Sequence, residues 1–401
     1  MRVLIISHMF PNDQNPISGI WVKDQVVALS KLCSIVVVSP IPYFPSVPIF
    51  KKFYKYSKIP KQEDVEGIKV YHPRFFTLPL GLLPFLTTIS YFLALAFFIK
   101  AMKMCSKIDL IHAHAILPDG FSAALLGRLF KKPVVVTVHG SDLRYQYKKV
   151  VEGTLIRFTL KRVDLIISPH FELTEILERM GCRVEEIFNG IDARIFNPVF
   201  TRDAEIAQRT LKVSGKKVIL FVALLNEFKD PITFVKAVPL VVSKRNDVVF
   251  LIAGDGPLRK DIQNLLKLLQ IENYVKILGI RHDIHVLLKL ANVFVALSPY
   301  ENLWSRALCE ALMSGVSCVV TESGTAHKLS SFLSKIVYLI PPKDHQKLAQ
   351  AILDILQNPT LAQNLRSNAW NFARVNFDIE LTTNRIMRVY QEVIKKSSTF
   401  N

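Results

Sequence analysis

Short runs of β-branched and aliphatic residues recur along this chain, and they constrain its fold more than any other feature. Helical or loop segments separate the runs, so the pattern predicts parallel strands buried on both faces. The first series comprises residues 3–7, 34–39, 67–72, 109–114, 133–140 and 164–169. The second series follows the segment 188–198 and comprises residues 217–223, 248–254, 275–280, 291–297, 317–321 and 336–341. We therefore predict an α/β protein with two Rossmann-like, doubly wound halves.

The length of 401 residues also favours two domains, because one hydrophobic core rarely grows that large. We place the first domain at residues 1–197 and the second at residues 198–376, with a cleft expected between them. Residues 377–401 contain an amphipathic pattern, which predicts a final helix that packs back toward the first domain.

Cysteine usage and the start of the chain bear on the cellular compartment. The five cysteines include no CxxC pair, which argues against a disulfide framework or a zinc site and favours a reducing environment. The sequence MRVLIISHMF leads directly into a strand and lacks the features of a signal peptide. We expect a cytoplasmic protein.

The chain is strongly basic, with a formal net charge of +18. Residues 1–170 hold 22 Lys and Arg against 10 Asp and Glu, so the excess is concentrated in the first half. This imbalance predicts an anionic partner, such as a lipid head group, a diphosphate substrate or nucleic acid. Nucleic acid is not expected, because no helix-turn-helix, zinc-finger or RNP motif is present.

A long apolar segment, residues 75–99, contains 25 residues and no charge. Pro79, Gly81 and Pro84 interrupt it, so a helix of residues 85–104 is predicted, and a membrane span is not. Two interpretations stay open: a helix buried against the sheet, or an apolar part of a membrane-binding surface. The second is favoured by the neighbouring segment 51–61, KKFYKYSKIPK, because lysines and aromatic rings suit an anionic membrane interface. The protein would then lie peripherally on the inner face of the cell membrane.

Two loops of the second half predict helix starts. Asp230-Pro231 and Asp255-Gly256-Pro257 each place an acid and an early proline before an apolar-periodic run, which is typical of a helix N-cap. In open parallel sheets, ligands collect at the carboxyl ends of the strands, so we expect loops 254–257 and 298–301 to face the cleft.

Six segments, in family order, resemble the retaining glycosyltransferases of family 4, which have the GT-B fold. They are MFPNDQNPISGIWVKDQ (9–25), DLIHAHAILPDGFSA (109–123), VVVTVHGSD (134–142), FNGIDARIFNP (188–198), LIAGDGPLR (251–259) and SPYENLWSRALCEALMSG (298–315). The resemblance implies transfer of a hexose-type sugar from a nucleotide-diphosphate sugar to a glycan or lipid-linked acceptor. It also implies that no metal and no cofactor are required.

The last of these segments is similar to the family's acidic motif. The resemblance implies that Glu310 holds the ribose hydroxyls of the donor and that Glu301 holds hydroxyls of the sugar ring. Amides of the loop that includes Leu303 and Trp304 would bind the diphosphate together with the following helix start. The family normally has seven residues between its two glutamates, whereas this chain has eight. Glu301 can then serve from a loop bulge, and Asn302 at the regular position is the alternative.

A second departure affects the diphosphate site. The family usually has Gly-Arg-Leu followed by Lys after the first strand of the donor domain, but Leu224 stands at the Arg position and Lys229 at the Lys position. The missing guanidinium removes a bidentate phosphate contact. Arg306 or Arg281 is a candidate replacement. Gly256, in the first glycine turn of this domain, is expected to line the donor site.

In the first half, Gly19 precedes a helix and would allow close approach of a phosphate or acceptor. The resemblance places His139 near the 6-hydroxyl of the transferred sugar and the reacting centre. The predicted catalytic residues are therefore His139, Glu301 and Lys229. His112 and His114 alternate on one strand but lack a third ligand in view, so no metal site is predicted.

The family's usual mechanism is front-face attack, in which the departing diphosphate takes the acceptor proton and no protein nucleophile is needed. Three alternatives share parts of the fold. A dinucleotide dehydrogenase should show GxGxxG after the first strand, which this chain lacks. A non-catalytic nucleotide-sugar-binding or scaffolding partner is suggested by Leu224 and the shifted Glu301. A sugar-nucleotide epimerase would convert the donor without an acceptor.

Overall fold

The computed structural model describes residues 1–16, 18–43, 51–77, 84–140, 142–298, 304–322, 327 and 329–399. The chain divides into two compact units. The first comprises Met1–Gly190 and Ile379–Asn401, and the second comprises Ile191–Asp378. The chain thus leaves the first unit before the boundary placed at residue 197, and its last helix belongs to the first unit.

Among the described residues, eight strands form the main sheet of the first unit. They are β1 (Arg2–Ile6), β2 (Ser34–Val38), β4 (Gln62–Val65), β5 (Ile68–Tyr71), β7 (Leu110–His114), β8 (Val134–Thr137), β9 (Leu165–Ser168) and β10 (Val184–Glu186), while β3 (Ile41–Pro42) and β6 (Arg74–Phe75) form a separate pair. The sheet order is β10-β9-β8-β7-β1-β2-β5-β4. Neighbours are parallel except for the hairpin of β4 and β5, of which only β5 was predicted from the sequence.

Alternate residues of these strands fill cores on opposite faces of the sheet. Leu4 and Ile6 belong to a core that includes side chains of helix Pro84–Ala101. Val3 and Ile5 belong to a second core, which includes residues of helices Ile20–Ser30 and Ile379–Thr399. Because strand side chains alternate in direction, continuous apolar runs are what a sheet covered on both faces requires. The predicted doubly wound arrangement is confirmed for this unit.

The helices of the first unit follow the strands in order. They are Ile20–Ser30, Lys51–Lys58, Pro84–Ala101, Phe121–Phe130, Val150–Leu160, Phe171–Arg179 and Ile379–Thr399, with π-helical turns at Ile116–Gly120 and Asp142–Gln146. The last helix contributes the fully buried Tyr390 to the core.

The helix of the apolar segment has both buried and exposed apolar side chains. This helix, Pro84–Ala101, buries Tyr91, Leu95 and Ile99 completely against the sheet. On the same helix, Phe97 is 71% exposed and Leu86 is 50% exposed. Within the described ranges, no helix is both long and apolar enough to cross a membrane.

In the described part of the second unit, six strands form a parallel sheet in the order β13-β12-β11-β14-β15-β16. Its strands are β11 (Lys217–Val222), β12 (Val248–Ala253), β13 (Val275–Gly279), β14 (Ala291–Ala296), β15 (Ser317–Thr321) and β16 (Tyr338–Ile340). Its helices are Arg202–Thr210, Pro231–Val242, Arg259–Leu268, Ile284–Leu290, Arg306–Met313, Ser330–Leu333, His345–Gln357 and Pro359–Asn376. Strand order reverses between β11 and β14, as in a Rossmann-like sheet.

One of the two predicted helix caps is present. Asp230 precedes the helix that begins at Pro231, and its side chain accepts a hydrogen bond of 3.3 Å from the amide of Thr233. The prediction for Asp255 was wrong, because the next helix begins only at Arg259. Asp255 instead pairs with the Nη1 atom of Arg259 at 2.9 Å.

Candidate functional site

A cavity of about 230 Å³ lies at the point where strand order reverses in the second sheet. The carboxyl ends of β11, β14 and β15 line it, together with Lys229 and the start of helix Arg306–Met313. Ligands bind at such a switch point because the loops that leave neighbouring strands run in opposite directions there. The cavity is therefore the candidate ligand site of this unit.

Lys229 reaches the cavity from a short 3₁₀ turn, Glu227–Lys229, that follows β11. Asn226 caps this turn, since its Oδ1 atom accepts a hydrogen bond of 3.1 Å from the amide of Lys229. Asp230, with a left-handed φ of 46°, caps the following helix. Two successive caps thus hold the backbone on both sides of the predicted catalytic lysine.

The helix Arg306–Met313 begins at the cavity. Ser305 is its N-cap, and the hydroxyl of Ser305 accepts a hydrogen bond of 3.4 Å from the amide of Leu308. Ser305, Arg306 and Ala307 all line the cavity. The first amides of a helix carry partial positive charge and bind anions. The cavity therefore combines a helix N-terminus with the cations of Lys229 and Arg306.

Glu310 is buried one turn further along this helix, with 6% exposure. Its Oε1 atom accepts a hydrogen bond of 2.7 Å from the Nε atom of Arg306. The carboxylate therefore helps to hold the guanidinium at the cavity. In this arrangement Glu310 contacts a cation that lines the ligand site.

Leu224 stands where the resemblance implies an arginine, and Arg306 and Arg281 were the two predicted replacements. Leu224 itself is 58% exposed. Of the two candidate replacements, Arg306 lines the cavity, whereas Arg281 pairs with Asp283 through a hydrogen bond of 2.8 Å from Nε to Oδ1. The sequence alone leaves both arginines as candidates, because their distance to the strand ends is a property of the folded chain.

Gly256 is required by close contact between two loops at the carboxyl edge. A Cβ atom at Gly256 would lie 2.5 Å from the carbonyl oxygen of Leu225, in the loop that follows β11. The amide of Leu225 also donates to the carbonyl of Asp255 at 3.0 Å. Backbone packing thus accounts for this glycine.

Three predicted donor residues, Glu301, Asn302 and Leu303, lie outside the described residues. Trp304, the next residue, is described. Its ring stacks on Phe372 with centroids 5.3 Å apart and meets Phe377 edge-on at 5.3 Å. The Trp304 side chain therefore lies in an aromatic cluster of the second unit.

His139 follows β8 in the first unit. Its ring stacks on His114 with centroids 5.6 Å apart, and Trp21 meets it edge-on at 5.7 Å. Burial lowers the pKa of His139 well below the usual value of 6.5, and the neighbouring His114 adds to this effect. His139 is therefore neutral at pH 7. Its Nε2 atom is buried and has no hydrogen-bond partner among the residues that the structure describes.

Gly19 lies directly before helix Ile20–Ser30, with a left-handed φ of 62°. A Cβ atom there would lie 1.9 Å from the carbonyl oxygen of Met9. Contact with Met9 of the same unit therefore explains why this position is a glycine.

His112 has a structural role. Its Nδ1 atom lies 2.6 Å from the hydroxyl of Tyr390, and its Nε2 atom lies 2.7 Å from the hydroxyl of Thr137. Burial lowers the pKa of His112 to about 3. Within the described parts of the chain, no group of three or more His, Cys, Asp or Glu residues could hold a metal ion.

Sequence comparison matches two family models to the chain. Residues 54–194 match glycosyltransferase family 4, and residues 202–372 match the glycosyl transferases group 1. The N-acetyl-alpha-D-glucosaminyl L-malate synthase of Bacillus anthracis is 25% identical, over 76% of this chain and 80% of that protein. The UDP-Gal:alpha-D-GlcNAc-diphosphoundecaprenol alpha-1,3-galactosyltransferase of Escherichia coli is 29% identical, over 54% of this chain and 58% of that protein.

Structural comparison supports the fold along nearly the whole chain. Anabaena HepE, crystallised with UDP and glucose, superimposes with a TM-score of 0.74 at 18% identity, covering 98% of this chain and 99% of HepE. The two family models follow each other in the order of the two doubly wound sheets. The chain therefore belongs to glycosyltransferase family 4 and is a glycosyltransferase with the GT-B fold.

Proposed function

We propose that this enzyme transfers a hexose-type sugar, with retention of configuration, from a nucleotide-diphosphate sugar to a glycan or lipid-linked acceptor. The main support for this proposal is the cavity at the switch point, where Lys229, Arg306 and a helix N-terminus converge. This combination suits a diphosphate, which needs positive charge and backbone N–H donors. The sugar nucleotide in the galactosyltransferase's name and the UDP and glucose bound by HepE support the same donor class.

In the proposed mechanism, the acceptor hydroxyl attacks the anomeric carbon on the face from which the diphosphate departs. The bond between the anomeric carbon and the diphosphate breaks, and the diphosphate takes the acceptor proton. Lys229 and Arg306 stabilise the negative charge that develops on the leaving group. Glu310 orients Arg306, and its carboxylate is also the proposed partner of the ribose hydroxyls.

Neutral His139 fits the proposed contact with the transferred sugar, because a neutral imidazole exchanges hydrogen bonds with hydroxyl groups. Glu301 is the proposed partner of the sugar hydroxyls, with Asn302 as the alternative. The proposal requires no metal and no cofactor, since Lys229, Arg306 and the helix dipole can provide the charge that a divalent cation would supply.

A thermal-shift series with UDP, GDP and ADP, alone and as their glucose conjugates, tests the donor site. We expect one nucleotide to stabilise the wild type, and the stabilisation to fall in Lys229→Ala and Arg306→Ala. Losing one charged hydrogen bond of about 1.5–3 kcal/mol corresponds to roughly 10- to 100-fold weaker binding. Lys236→Ala, an exposed lysine of helix Pro231–Val242, is the matched control. Equal stabilisation of all four proteins would contradict this site.

Turnover separates the proposed transferase reaction from its alternatives. Incubation of the binding donor with mixed glycan and lipid-linked acceptors should yield an α-linked product when the donor is α-linked. A product of inverted configuration would contradict the retaining mechanism. Conversion of the donor sugar without any acceptor would indicate epimerisation, and binding without turnover would indicate a scaffold.

The acceptor side includes a proposed membrane surface in the first unit. An apolar groove of about 760 Å³ runs along helix Pro84–Ala101. Its lining includes Phe76 and Phe97, each 71% exposed. An exposed patch of this kind marks a binding surface for an apolar partner.

Charge indicates which partner the groove meets. Residues 67–108 contain no acidic residue, and their cations are Lys69, Arg74, Lys100, Lys103 and Lys107. The basic helix Lys51–Lys58 belongs to the same unit. Apolar side chains beside lysines complement an anionic bilayer, in which rings enter the interface and cations meet lipid phosphates. We therefore assign this groove to anionic lipid at the inner face of the cell membrane.

Flotation with phosphatidylglycerol vesicles tests this assignment. The wild type should float at low salt, whereas it should stay behind with phosphatidylcholine vesicles or at high salt. Phe97→Ser should reduce flotation. Leu268→Ser in the second unit, where Leu268 is 77% exposed, controls for loss of any exposed apolar side chain. Equal flotation of both variants, or no flotation of the wild type, would contradict the assignment.

A further inference from the structure

The first sheet also reverses its strand order, between β1 and β7, and this point holds an acid–imidazole pair. His8 follows β1, and Asp119 lies in the π-helical turn that follows β7. The Nδ1 atom of His8 lies 2.7 Å from the Oδ2 atom of Asp119. Although 111 positions separate them in sequence, both lie at the edge where ligands of such sheets bind.

Asp119 is fully buried and is held by several donors. The backbone amide of His8 donates to its Oδ1 atom at 3.1 Å, and the hydroxyl of Tyr91 donates to the same atom. Tyr91 is itself fully buried, in helix Pro84–Ala101. A buried carboxylate with these donors is stable as an anion, so it accepts the proton-bearing Nδ1 of His8.

This arrangement determines what His8 presents to a ligand. With the proton on Nδ1, the Nε2 atom carries a lone pair and can only accept a hydrogen bond. The His8 side chain is 35% exposed, so a ligand can reach it. Across the described residues, Nε2 makes no hydrogen bond to the protein, whereas Nδ1 is fully used.

We propose that His8 is an acceptor-binding residue whose Nε2 atom takes a hydrogen bond from a sugar hydroxyl, with Asp119 and Tyr91 as positioning residues. This inference rests on the proposed function, because it assigns a contact to the acceptor half of that reaction. The carboxyl group of Asp142 also interacts electrostatically with His8. Two neighbouring acids disfavour a phosphate or carboxylate at this point and favour an uncharged, hydroxylated part of the acceptor.

The pair also makes this contact dependent on pH. Burial alone would lower the pKa of His8, but the charge of Asp119 and its hydrogen bond, with a smaller contribution from Asp142, raise it above 6.5. Tyr91 contacts Asp119 from one side, and His139 is the neighbouring basic group. When His8 takes a second proton, Nε2 becomes a donor and can no longer accept. Binding through Nε2 is therefore lost as pH falls through this raised pKa.

Nuclear magnetic resonance of the full chain tests the pair and its ligand together. The Hε1 resonance of His8 is titrated with pH, alone and with the methyl α-glycosides of glucose, galactose, mannose and N-acetylglucosamine. A glycoside that donates to Nε2 stabilises neutral His8, so it should lower the pKa of His8. If no glycoside shifts this titration, the proposal is wrong.

Two variants give opposite expected shifts in the free protein. Asp119→Asn removes the negative charge and should lower the pKa of His8, whereas Tyr91→Phe removes a donor to that charge and should raise it. Shifts of the same sign would overturn the role given to Tyr91, and no shift in Asp119→Asn would overturn the pair.

Ligand affinity completes the test. His8→Ala should weaken binding of the responding glycoside about tenfold, the loss of one hydrogen bond, and His8→Gln should restore part of it. His345→Ala, at the start of a helix in the second unit, is the control. Equal affinity in His8→Ala and wild type would overturn the proposal. Thermal stabilisation by nucleotide, measured on the same samples, reports the donor site separately, so the two proposals fail independently.

Discussion

The Nε atom of Arg306, a residue that lines the candidate ligand cavity, donates to the Oε1 atom of Glu310 across 2.7 Å, one helical turn further along. A pair of the same spacing occurs on an exposed helix, where Arg209 donates to Glu205 at 2.7 Å. The two pairs differ in burial, since the Glu310 side chain is 8% exposed and that of Glu205 is 51% exposed. The order of acid and base along the helix is reversed between them, and burial is the larger difference.

We expect Glu310→Ala to lower the free energy of unfolding by about 1–3 kcal/mol, because a half-buried guanidinium loses its carboxylate acceptor. Glu205→Ala should cost no more than about 0.5 kcal/mol, because exposed pairs contribute little. Urea unfolding measures both. Nucleotide binding should weaken about tenfold or more in Glu310→Ala and stay unchanged in Glu205→Ala. Equal losses of stability would mean that burial of the first pair is unimportant.

Leu224→Arg should strengthen donor binding. The resemblance places a phosphate-binding arginine at this position, and the exposed Leu224 leaves room for one at little cost in packing. We expect the Michaelis constant for the donor to fall several-fold, corresponding to about 1 kcal/mol. Leu268→Arg adds the same charge to another exposed site of this unit and should leave that constant unchanged. An equal fall in both variants would indicate a general effect of charge.

Gly19→Ala should be strongly destabilising, because its Cβ atom would overlap the carbonyl oxygen of Met9 and its φ of 62° is unfavourable for alanine. Gly181→Ala supplies a matched control, since Gly181 has a φ of 74° and nothing lies within 4 Å of its added Cβ. The control should cost about 1 kcal/mol, and Gly19→Ala at least about 2 kcal/mol more. Chemical denaturation measures the difference. Similar losses in the two variants would show that Met9 moves away easily.

Stability should fall as the pH is lowered below about 6.5, the ordinary pKa of histidine. His112, His114 and His139 have lowered pKa values because they are buried, and that of His112 is about 3. At these three histidines the unfolded chain therefore binds protons below pH 6.5 that the folded chain does not. Asp142 opposes this effect below about pH 6, because burial raises its pKa to about 6. Each histidine then reduces the free energy of unfolding by up to about 1.4 kcal/mol per pH unit. Urea unfolding at pH 7.5 and pH 5.5 measures this slope.

The variant His114→Phe tests how much His114 contributes to the pH dependence of the free energy of unfolding. Both ring nitrogens of His114 are buried and lack hydrogen-bond partners within the described ranges, so an apolar ring of similar shape should be neutral or stabilising at pH 7.5. The variant should also lose less stability on going to pH 5.5 than the wild type. An unchanged pH dependence would mean that His114 does not contribute to it.

Local sequence pattern was sufficient to predict the fold, because hydrophobic periodicity and helix capping both depend on residues a few positions apart. Each predicted strand run overlaps a strand, and the helix predicted after Asp230 begins at Pro231. The hairpin strand Gln62–Val65 was missed, because its sequence QEDV is polar and carries no apolar run. Asp255 resembled an N-cap in sequence, but its carboxylate is engaged by Arg259.

The sequence by itself determined the two alternating series of strands and helices, the placement of Lys229 after β11, and the family to which the chain belongs. Only the tertiary structure decided that Arg306, and not Arg281, lines the cavity of the second unit, and that His8 and Tyr91 both contact Asp119. The physical reason is the separation along the chain over which each effect acts. Periodicity and capping act over a few residues, whereas a cavity or a buried ion pair depends on which distant strand ends the sheet order brings together.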